Sequence, residues 1–257
     1  MVEAAVFGLV ASSALVAGSV VGALVRVPRR VLAFLLAFAS GALITAMAFE
    51  LYHGAVSRSD AVRAGLAFVA GAAVFIGIDS WLDRRVARTT PTGTAPKLES
   101  GTATIGEPTP ASTTGGLAGF ALLAAVTLDG VPENLALGIS LGEGHGSLAL
   151  LLAIFASNFP ESLVGSAQMR ASGRSRRFSI GTWVLAAALL AAAVALGFAS
   201  FGDASDETIS IPLAFAGGAV IASLADTLMP EAYRDGGPMV ALSTVAGFLL
   251  SYVLAPI

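Results

Sequence analysis

The sequence predicts an all-α, polytopic membrane protein with eight transmembrane helices, and three observations support this fold class. Of the 257 residues, 56% are hydrophobic and only 12% are charged, whereas soluble domains carry roughly 25% charged residues. The hydrophobic residues are concentrated in runs of about 20, the length of helix that crosses a bilayer. The basic residues fall almost entirely in alternate connections. Soluble enzymes, nucleic-acid-binding proteins and disordered proteins are therefore not expected.

Eight hydrophobic segments are predicted to cross the membrane. These spans 1 to 8 cover approximately residues 5–26, 31–52, 62–82, 116–141, 147–169, 179–200, 209–230 and 238–255. All are rich in Ala, Leu, Val and Gly, and small residues allow close helix packing in lipid, which also permits a homodimer. Span 1 lacks a basic start and is long enough to cross, so a cleaved signal peptide is not predicted.

The longest connection, residues 83–115, joins spans 1–3 (residues 1–82) to spans 4–8 (residues 116–257) within one membrane domain. It contains four prolines among many Thr, Ser and Gly residues. Such a composition cannot bury enough apolar surface to fold alone, so we predict a flexible cytoplasmic linker.

The basic residues predict the orientation of the spans. Cytoplasmic connections collect Lys and Arg, and 12 of the 14 basic residues follow spans 1, 3, 5 and 7, whereas Arg58 and Arg63 lie on the opposite side. Both termini are therefore expected outside the cytoplasm. A different number of spans would distribute the basic residues over both sides of the membrane, so the asymmetry supports a topology with eight spans. The expected location is the plasma membrane.

Acidic residues occur inside the predicted spans, whereas Lys and Arg residues lie only at or beyond the span ends. The acids are Glu50, Asp79, Asp129, Glu133, Glu161 and Asp226. A charge at the bilayer centre costs about 2.5–3.5 kcal/mol on insertion scales, so these groups must be protonated, hydrated or bound to a cation. An acidic interior favours cations over anions.

Span 4 contains the most informative group of oxygen ligands. Asp129 and Glu133 are four residues apart and therefore project from one helix face. Pro132 lacks an N–H, so we expect it to break the helix and to free the carbonyl of Leu128. Carboxylate and carbonyl oxygens are suitable ligands for a divalent cation.

Span 5 repeats this arrangement 28 residues later, with Pro160 followed by Glu161. Ser157 lies four residues before Glu161 on the same face, and Asn158 lies three before it. Broken helices in corresponding positions are typical of transporter sites. We therefore predict a cation site between spans 4 and 5. Its expected ligands are Asp129, Glu133, Asn158 and Glu161.

Glu50, Ser157 and Asp226 are candidate residues of a cation pathway. Glu50 either lines that pathway or approaches the membrane surface, and a buried acid can also be a protonated packing group. The two histidines are too few for a His-based metal site, and the absence of cysteine excludes thiolate ligands and disulfides.

These motifs resemble those of the ZIP (Zrt-, Irt-like) family of divalent metal transporters. The family pattern His-Asn-x-Pro-Glu-Gly corresponds to residues 129–134, Asp-Gly-Val-Pro-Glu-Asn, and the bacterial pattern Gln-Asn-x-Pro-Glu-Gly to residues 157–162, Ser-Asn-Phe-Pro-Glu-Ser. Residues 40–43 before Glu50 and residues 229–232 are also similar to the family. The eight spans, the outward termini and the long linker agree, so the resemblance covers essentially the whole chain.

The resemblance implies a mid-membrane binuclear metal site and transport of zinc, iron or manganese into the cytoplasm by one helix group moving against another. Glu133 and Glu161 correspond to central ligands, Asp129 stands at a ligand His, and Asn158 matches a further ligand position. Gly130 and Ser157 replace ligands, and span 6 lacks the Glu-Pro motif. We therefore expect one principal site with oxygen ligands, which favours manganese, iron or broader divalent use over zinc.

The expected function is thus a non-enzymatic transporter with a metal ion as its substrate, the lipid bilayer as its surroundings, and no organic cofactor. An alternative is a ZIP-like membrane protein with a degenerate site that acts as a sensor or assembly partner. An intramembrane metallohydrolase is a third hypothesis, which the absence of a zincin-type His pair disfavours.

Overall fold

The structure, a computed structural model, describes residues 2–89, 115–142, 148–171, 173–201 and 204–255. Side chains are not described at residues 83, 85–89, 115–126 and 129. All regular secondary structure in the described ranges is helical, as predicted. The α-helices are α1 (Val2–Leu24), α2 (Arg29–Ala46), α3 (His53–Arg58), α4 (Ala61–Thr89), α5 (Gly115–Gly142), α6 (Leu148–Ala171), α7 (Arg176–Phe201), α8 (Asp206–Ser223), α9 (Met229–Gly236) and α10 (Val240–Leu254).

Three short segments join consecutive helices without interrupting the helical chain. Met47–Tyr52 between α2 and α3 and Leu224–Leu228 between α8 and α9 are π-helical, and Gly237–Met239 before α10 is a 3₁₀ turn. The π-helical segments carry the names π1 and π2 below.

Within the described residues, six helical stretches are long and apolar enough to cross a membrane. They are Val2–Leu24, Arg29–Arg58, Ala61–Leu82, Leu148–Ala171, Arg176–Phe201 and Asp206–Leu254. The fold is consistent with a multi-pass membrane protein.

Helix α4 continues beyond the predicted start of the linker at residue 83 and ends at Thr89. Arg and Ala residues favour helix, and the first proline of the linker occurs only at Pro91. The Arg84 side chain also donates a hydrogen bond to the carbonyl of Ser80, one turn earlier (2.9 Å). The rest of the predicted linker, residues 90–114, lies outside the described residues.

Glycine-lined seams hold four pairs of helices together: α1 with α6, α2 with α10, α4 with α8, and α5 with α7. In each seam a Cβ added to one glycine would lie about 2 Å from a backbone oxygen of the partner helix, so only glycine fits. The contacts are Gly22 to Leu163 (2.1 Å), Gly41 to Thr244 (1.9 Å), Gly71 to Phe215 (2.0 Å) and Gly138 to Val194 (2.1 Å).

The long stretch Asp206–Leu254 folds back on itself near Gly237, which has a positive φ of 66°. Helices α2–α3 and α4 form a hairpin in which the rings of Tyr52 and Phe68 are 5.0 Å apart. Contacts between α4 and α8 advance in the same direction along both helices, from Arg63 with Glu207 to Gly71 with Phe215. Those between α2 and α10 do so too, from Phe34 with Ser243 to Thr45 with Phe248, so the two halves of the stretch are antiparallel. One apolar stretch therefore contains the two helices predicted as spans 7 and 8.

The main core lies where α2, α5, α6 and α8 meet, whereas many large apolar side chains on the outside of the bundle are exposed. Fully buried residues of this core include Leu43, Met47, Leu137, Leu150 and Ile154. Exposed residues include Leu9, Leu66, Val69, Leu196, Leu242 and Val253. Such a distribution is expected when lipid surrounds the helices.

Candidate cation site

Helices α5 and α6 are continuous through their prolines. Pro132 lies inside α5 and Pro160 lies inside α6, so the helix break expected at each proline is not found. A proline removes one backbone donor, and the surrounding helical hydrogen bonds and neighbouring helices are able to keep such a helix intact in the membrane.

A chain of contacts places the two Pro-Glu motifs at similar depths in the bundle. A Cβ on Gly130 of α5 would lie 2.7 Å from Cδ1 of Leu190 in α7, and one on Gly8 of α1 would lie 3.1 Å from the backbone of the next residue of α7. Three residues further along α1, the carbonyl of Ala11 accepts a hydrogen bond from Asn158 of α6 (3.1 Å). Gly130 and Asn158 therefore lie in one layer.

The directions of the helices place the two glutamates on opposite sides of this layer. Helices α1 and α6 are parallel, because Ala11 contacts Asn158 and Ser19 contacts Ser166. Helices α5 and α7 are also parallel, whereas α1 and α7 are antiparallel, since Gly8 lies against α7 near Ala191 and Leu15 packs with Trp183. Helices α5 and α6 are therefore antiparallel. Glu133 and Glu161 each lie three residues beyond the layer along their own helix. Because Cα–Cβ bonds tilt toward the helix N-terminus, this bond in each glutamate is inclined toward the layer.

Burial differs between the predicted ligands. Glu133 is buried and Glu161 is half-buried, whereas the side chain of Asp129 lies outside the described part of the structure. Among the side chains that are described, no group of three or more His, Cys, Asp or Glu residues is placed to hold a metal ion. Asp129 is the third acid of the predicted site, so the three-carboxylate arrangement stays a prediction.

Asn158 has a structural contact that the sequence did not predict. Its side chain is buried, and Nδ2 donates to the carbonyl of Ala11 in α1. Oδ1 is thus the atom that Asn158 can offer to a cation. The neighbouring Ser157 is also buried, and its hydroxyl donates within its own helical turn, to the carbonyl of Ile154 (3.0 Å).

Two further positions in α5, Gly130 and Asn134, differ from the ZIP pattern, and the structure shows how each is packed. Gly130 stands where the resemblance to ZIP transporters implies an asparagine ligand, and a Cβ at this position would lie 2.7 Å from Cδ1 of Leu190, so a side chain here requires the Leu190 side chain to shift. Asn134 is fully buried, and its Nδ2 donates to the carbonyl of Gly130 (2.8 Å), while its Oδ1 has no hydrogen-bond partner among the described side chains. The sequence did not predict this oxygen, next to Glu133, because its surroundings depend on packing.

Departures from α-helical geometry occur instead at two of the other acids. Segment π1 contains Glu50 and segment π2 contains Asp226. After each segment, a backbone N–H donates to the carbonyl five residues earlier. Such π-bulges insert an extra residue into the helix and are frequent at functional sites.

Glu50 lines a cavity of about 640 Å³, called the Glu50 cavity below. Its other lining residues are Phe49, Leu51, Gly54, Ser57, Arg58, Ser140, Leu150, Phe201, Ala204, Asp206, Ile209 and Leu213. Ser140 lies seven residues after Glu133 in α5, and Leu150 lies seven before Ser157 in α6. Since seven residues are about two helical turns, the cavity lies on the faces that lead to the candidate site.

Asp226 lies at a different depth from Glu50. A Cβ on Gly217 of α8 would lie 3.4 Å from the side chain of Leu51, the neighbour of Glu50. Asp226 follows Gly217 by nine residues, which is about 13 Å of helix. The two half-buried acids therefore lie at different depths in the bundle, and Asp226 is not among the described residues that line the Glu50 cavity.

Comparison with protein-family models and with curated proteins gives no match for the chain, so the resemblance to ZIP transporters rests on its motifs alone.

Proposed function

We propose that the protein is a transporter of divalent metal cations, with the cation bound between α5 and α6. The observation that carries this proposal is the pair of Pro-Glu motifs, in antiparallel helices, at similar depths of an apolar bundle. The sequence contains no Lys or Arg between residues 98 and 169, so neither of these helix segments provides a cationic side chain for Glu133 or Glu161.

A divalent cation accounts for the burial of these acids. Its two positive charges offset two carboxylates where a net charge is costly. The ligands in this proposal are Glu133, Glu161, Asp129 and Oδ1 of Asn158. A set of oxygen ligands favours manganese or iron over zinc, and the resemblance to ZIP transporters gives the direction of transport, into the cytoplasm.

The proposed topology has eight crossings in the plasma membrane. These crossings are the first five long apolar stretches, the two halves of the sixth on either side of Gly237, and α5. The distribution of Arg and Lys then puts both termini outside, together with the end of the bundle at which the Glu50 cavity lies. Small exposed residues such as Gly77 and Gly181 permit a homodimer.

The packing suggests how the cation is moved. The closest helix contacts fall within two groups, one formed by α1, α5, α6 and α7 and the other by α2, α4, α8 and α10. The candidate site belongs entirely to the first group. In this proposal, movement of the first group along the second exposes the site alternately to each side, as the resemblance to ZIP transporters implies.

Uptake of Mn²⁺ into proteoliposomes tests the proposal. Glu133→Gln and Glu161→Gln each remove one ligand charge without changing side-chain size, and we expect at least about a tenfold loss of uptake, equivalent to about 1.4 kcal/mol. The control is Glu207→Gln, because Glu207 is exposed and pairs with Arg63 at the surface (3.4 Å). Normal uptake by both ligand variants would remove the proposed site.

A second candidate function is that of a sensor or assembly partner with a degenerate site. The packing of Gly130 against Leu190, where a ligand side chain stands in ZIP transporters, favours it. Binding of Mn²⁺ to the purified protein separates the two functions. Binding at micromolar concentration that is lost in Glu133→Gln supports the transporter, whereas no binding supports the second candidate.

A further inference from the structure

The Glu50 cavity contains charged residues that the candidate site does not use. Arg58 is the one basic residue among its described lining residues, and Glu50 and Asp206 are the acidic ones. These charges come from two parts of the bundle, because Glu50 and Arg58 belong to π1 and α3 whereas Asp206 begins α8.

The cavity extends from the surface into the core. Ser57 and Asp206 on its lining are exposed, while Leu51, Leu150 and Leu213 are buried. Its inner end therefore reaches the apolar core near the helix faces that carry Glu133 and Ser157, about two helical turns away.

Arg58 is fixed within this cavity by a local hydrogen bond. Its Nη1 donates to the carbonyl of Gly54, one turn earlier in the same helix (2.6 Å), and both residues line the cavity. Arg63, the other basic residue on the predicted outer side of the membrane, has different surroundings. Arg63 is exposed, pairs with Glu207 and does not line the cavity.

A positive charge in a cavity that is also lined by acidic residues acts on ions according to their valence. The Coulomb energy is proportional to the product of the charges, so Arg58 repels a divalent cation twice as strongly as a monovalent one. Glu50 and Asp206 attract both. Arg58 thus opposes the approach of the ions that the acids attract.

We propose that the Glu50 cavity is the route by which divalent cations reach the candidate site, and that Arg58 limits their access. This inference rests on the proposed transport function. Removing the charge of Arg58 should lower the half-saturating Mn²⁺ concentration by about fourfold, as expected for a unit charge about 10 Å from a divalent ion in a water-like medium.

The chain contains no cysteine, so single-cysteine reporters can measure the cavity without any transport assay. Ser140→Cys places a thiol inside the cavity and Ser57→Cys places one at its exposed end. Thr208→Cys is an exposed control on α8, outside the cavity. The measured quantity is the ratio of modification rates by a cationic and an anionic methanethiosulfonate reagent of similar size.

Adding Arg58→Gln to either cavity reporter should raise the cationic-to-anionic ratio several-fold, whereas Arg63→Gln and Arg58→Lys should leave it unchanged. The same ratio at Thr208→Cys should not respond to Arg58→Gln. An unchanged ratio at both cavity reporters overturns the role of Arg58. Failure of both reagents to reach Ser140→Cys, while Thr208→Cys is modified, overturns the route.

Mn²⁺ uptake then separates this inference from the proposed function. If Glu133→Gln abolishes uptake and Arg58→Gln does not change the half-saturating concentration, the access role fails and the transporter stands. If Glu133→Gln and Glu161→Gln transport normally, the proposed site fails, whatever the modification ratios report about the cavity. A lower half-saturating concentration in Arg58→Gln, with Arg63→Gln unchanged, supports the inference.

Discussion

Helix α6 has two polar faces that the structure treats differently. On the face toward α1, two side chains donate to backbone carbonyls of that helix: Asn158 to Ala11 (3.1 Å) and Ser166 to Ser19 (2.7 Å). Ser162, between them, donates at 2.8 Å to the carbonyl of Asn158 in its own turn and lies 3.4 Å from the carbonyl of Ala14 in α1. On the neighbouring face, Ser157 donates to its own helical turn, and Glu161 lies one turn further along.

The difference lies in the neighbouring helix. Glycines bring the backbone of α1 so close to α6 that its carbonyls are within reach of short polar side chains, and in lipid each such group needs a partner inside the protein. The face with Ser157 continues instead toward Leu150 and the Glu50 cavity. Similar residue types in one helix therefore bind two helices together on one face and, in our proposal, bind a cation on the other.

The largest effect on stability is expected in the seam between α1 and α6. In Gly22→Ala the new Cβ would lie 2.1 Å from the carbonyl oxygen of Leu163, and overpacking of this kind costs about 1–3 kcal/mol. The matched control is Gly181→Ala, where the Cβ meets no atom within 4 Å among the described residues. Thermal unfolding in detergent measures both variants. Equal Tm values would contradict the close packing of this seam.

Asn158 lies on the border between the two faces, and Asn158→Asp separates its two assigned roles. The substitution keeps an oxygen ligand but removes the donor to Ala11, and the loss of one such hydrogen bond costs about 0.5–1.5 kcal/mol. We expect a lower Tm in metal-free protein, with Mn²⁺ affinity retained. An unchanged metal-free Tm would mean that the bond to α1 contributes nothing to stability.

The smallest effect is expected on the other face, from Ser157→Ala. The hydroxyl of Ser157 bonds only to its own turn in the described contacts, and such bonds do not stabilise a helix. We therefore expect the free energy of unfolding to change by less than about 0.5 kcal/mol, the usual range for sites without a special role. A loss as large as that of Asn158→Asp would show that both faces of α6 are structural.

The helices were predictable from the sequence because membrane spans are set by length and hydrophobicity. Each predicted span lies mainly within helical residues of the structure. The extension of α4 to Thr89 was not foreseen, because a Pro- and Thr-rich composition beyond residue 90 dominated the prediction of the linker.

The local geometry at the acids was less predictable. Pro132 and Pro160 suggested helix breaks, yet both helices continue. Segment π1 contains no proline, and π2 is followed by Pro230, which leaves the carbonyl of Asp226 without its usual helical donor. Proline therefore does not by itself reveal where a helix widens, because the packed neighbours decide which hydrogen bonds are kept.

The candidate ligands were predictable only as residue types. Acids in apolar sequence segments that contain no Lys or Arg led to the prediction of a cation, and their spacing assigns them to common faces. The contact of Asn158 with α1, the unpartnered oxygen of Asn134 and the position of Arg58 in the Glu50 cavity depend on which helices become neighbours. No local pattern in the sequence specifies those pairings.

The most direct test is anomalous scattering from crystals of the protein grown with Mn²⁺, recorded on both sides of the manganese absorption edge. We expect a manganese peak between α5 and α6, within about 2.5 Å of carboxylate oxygens of both Glu133 and Glu161. A peak bound elsewhere, or glutamate side chains turned toward lipid with no metal between them, would contradict it.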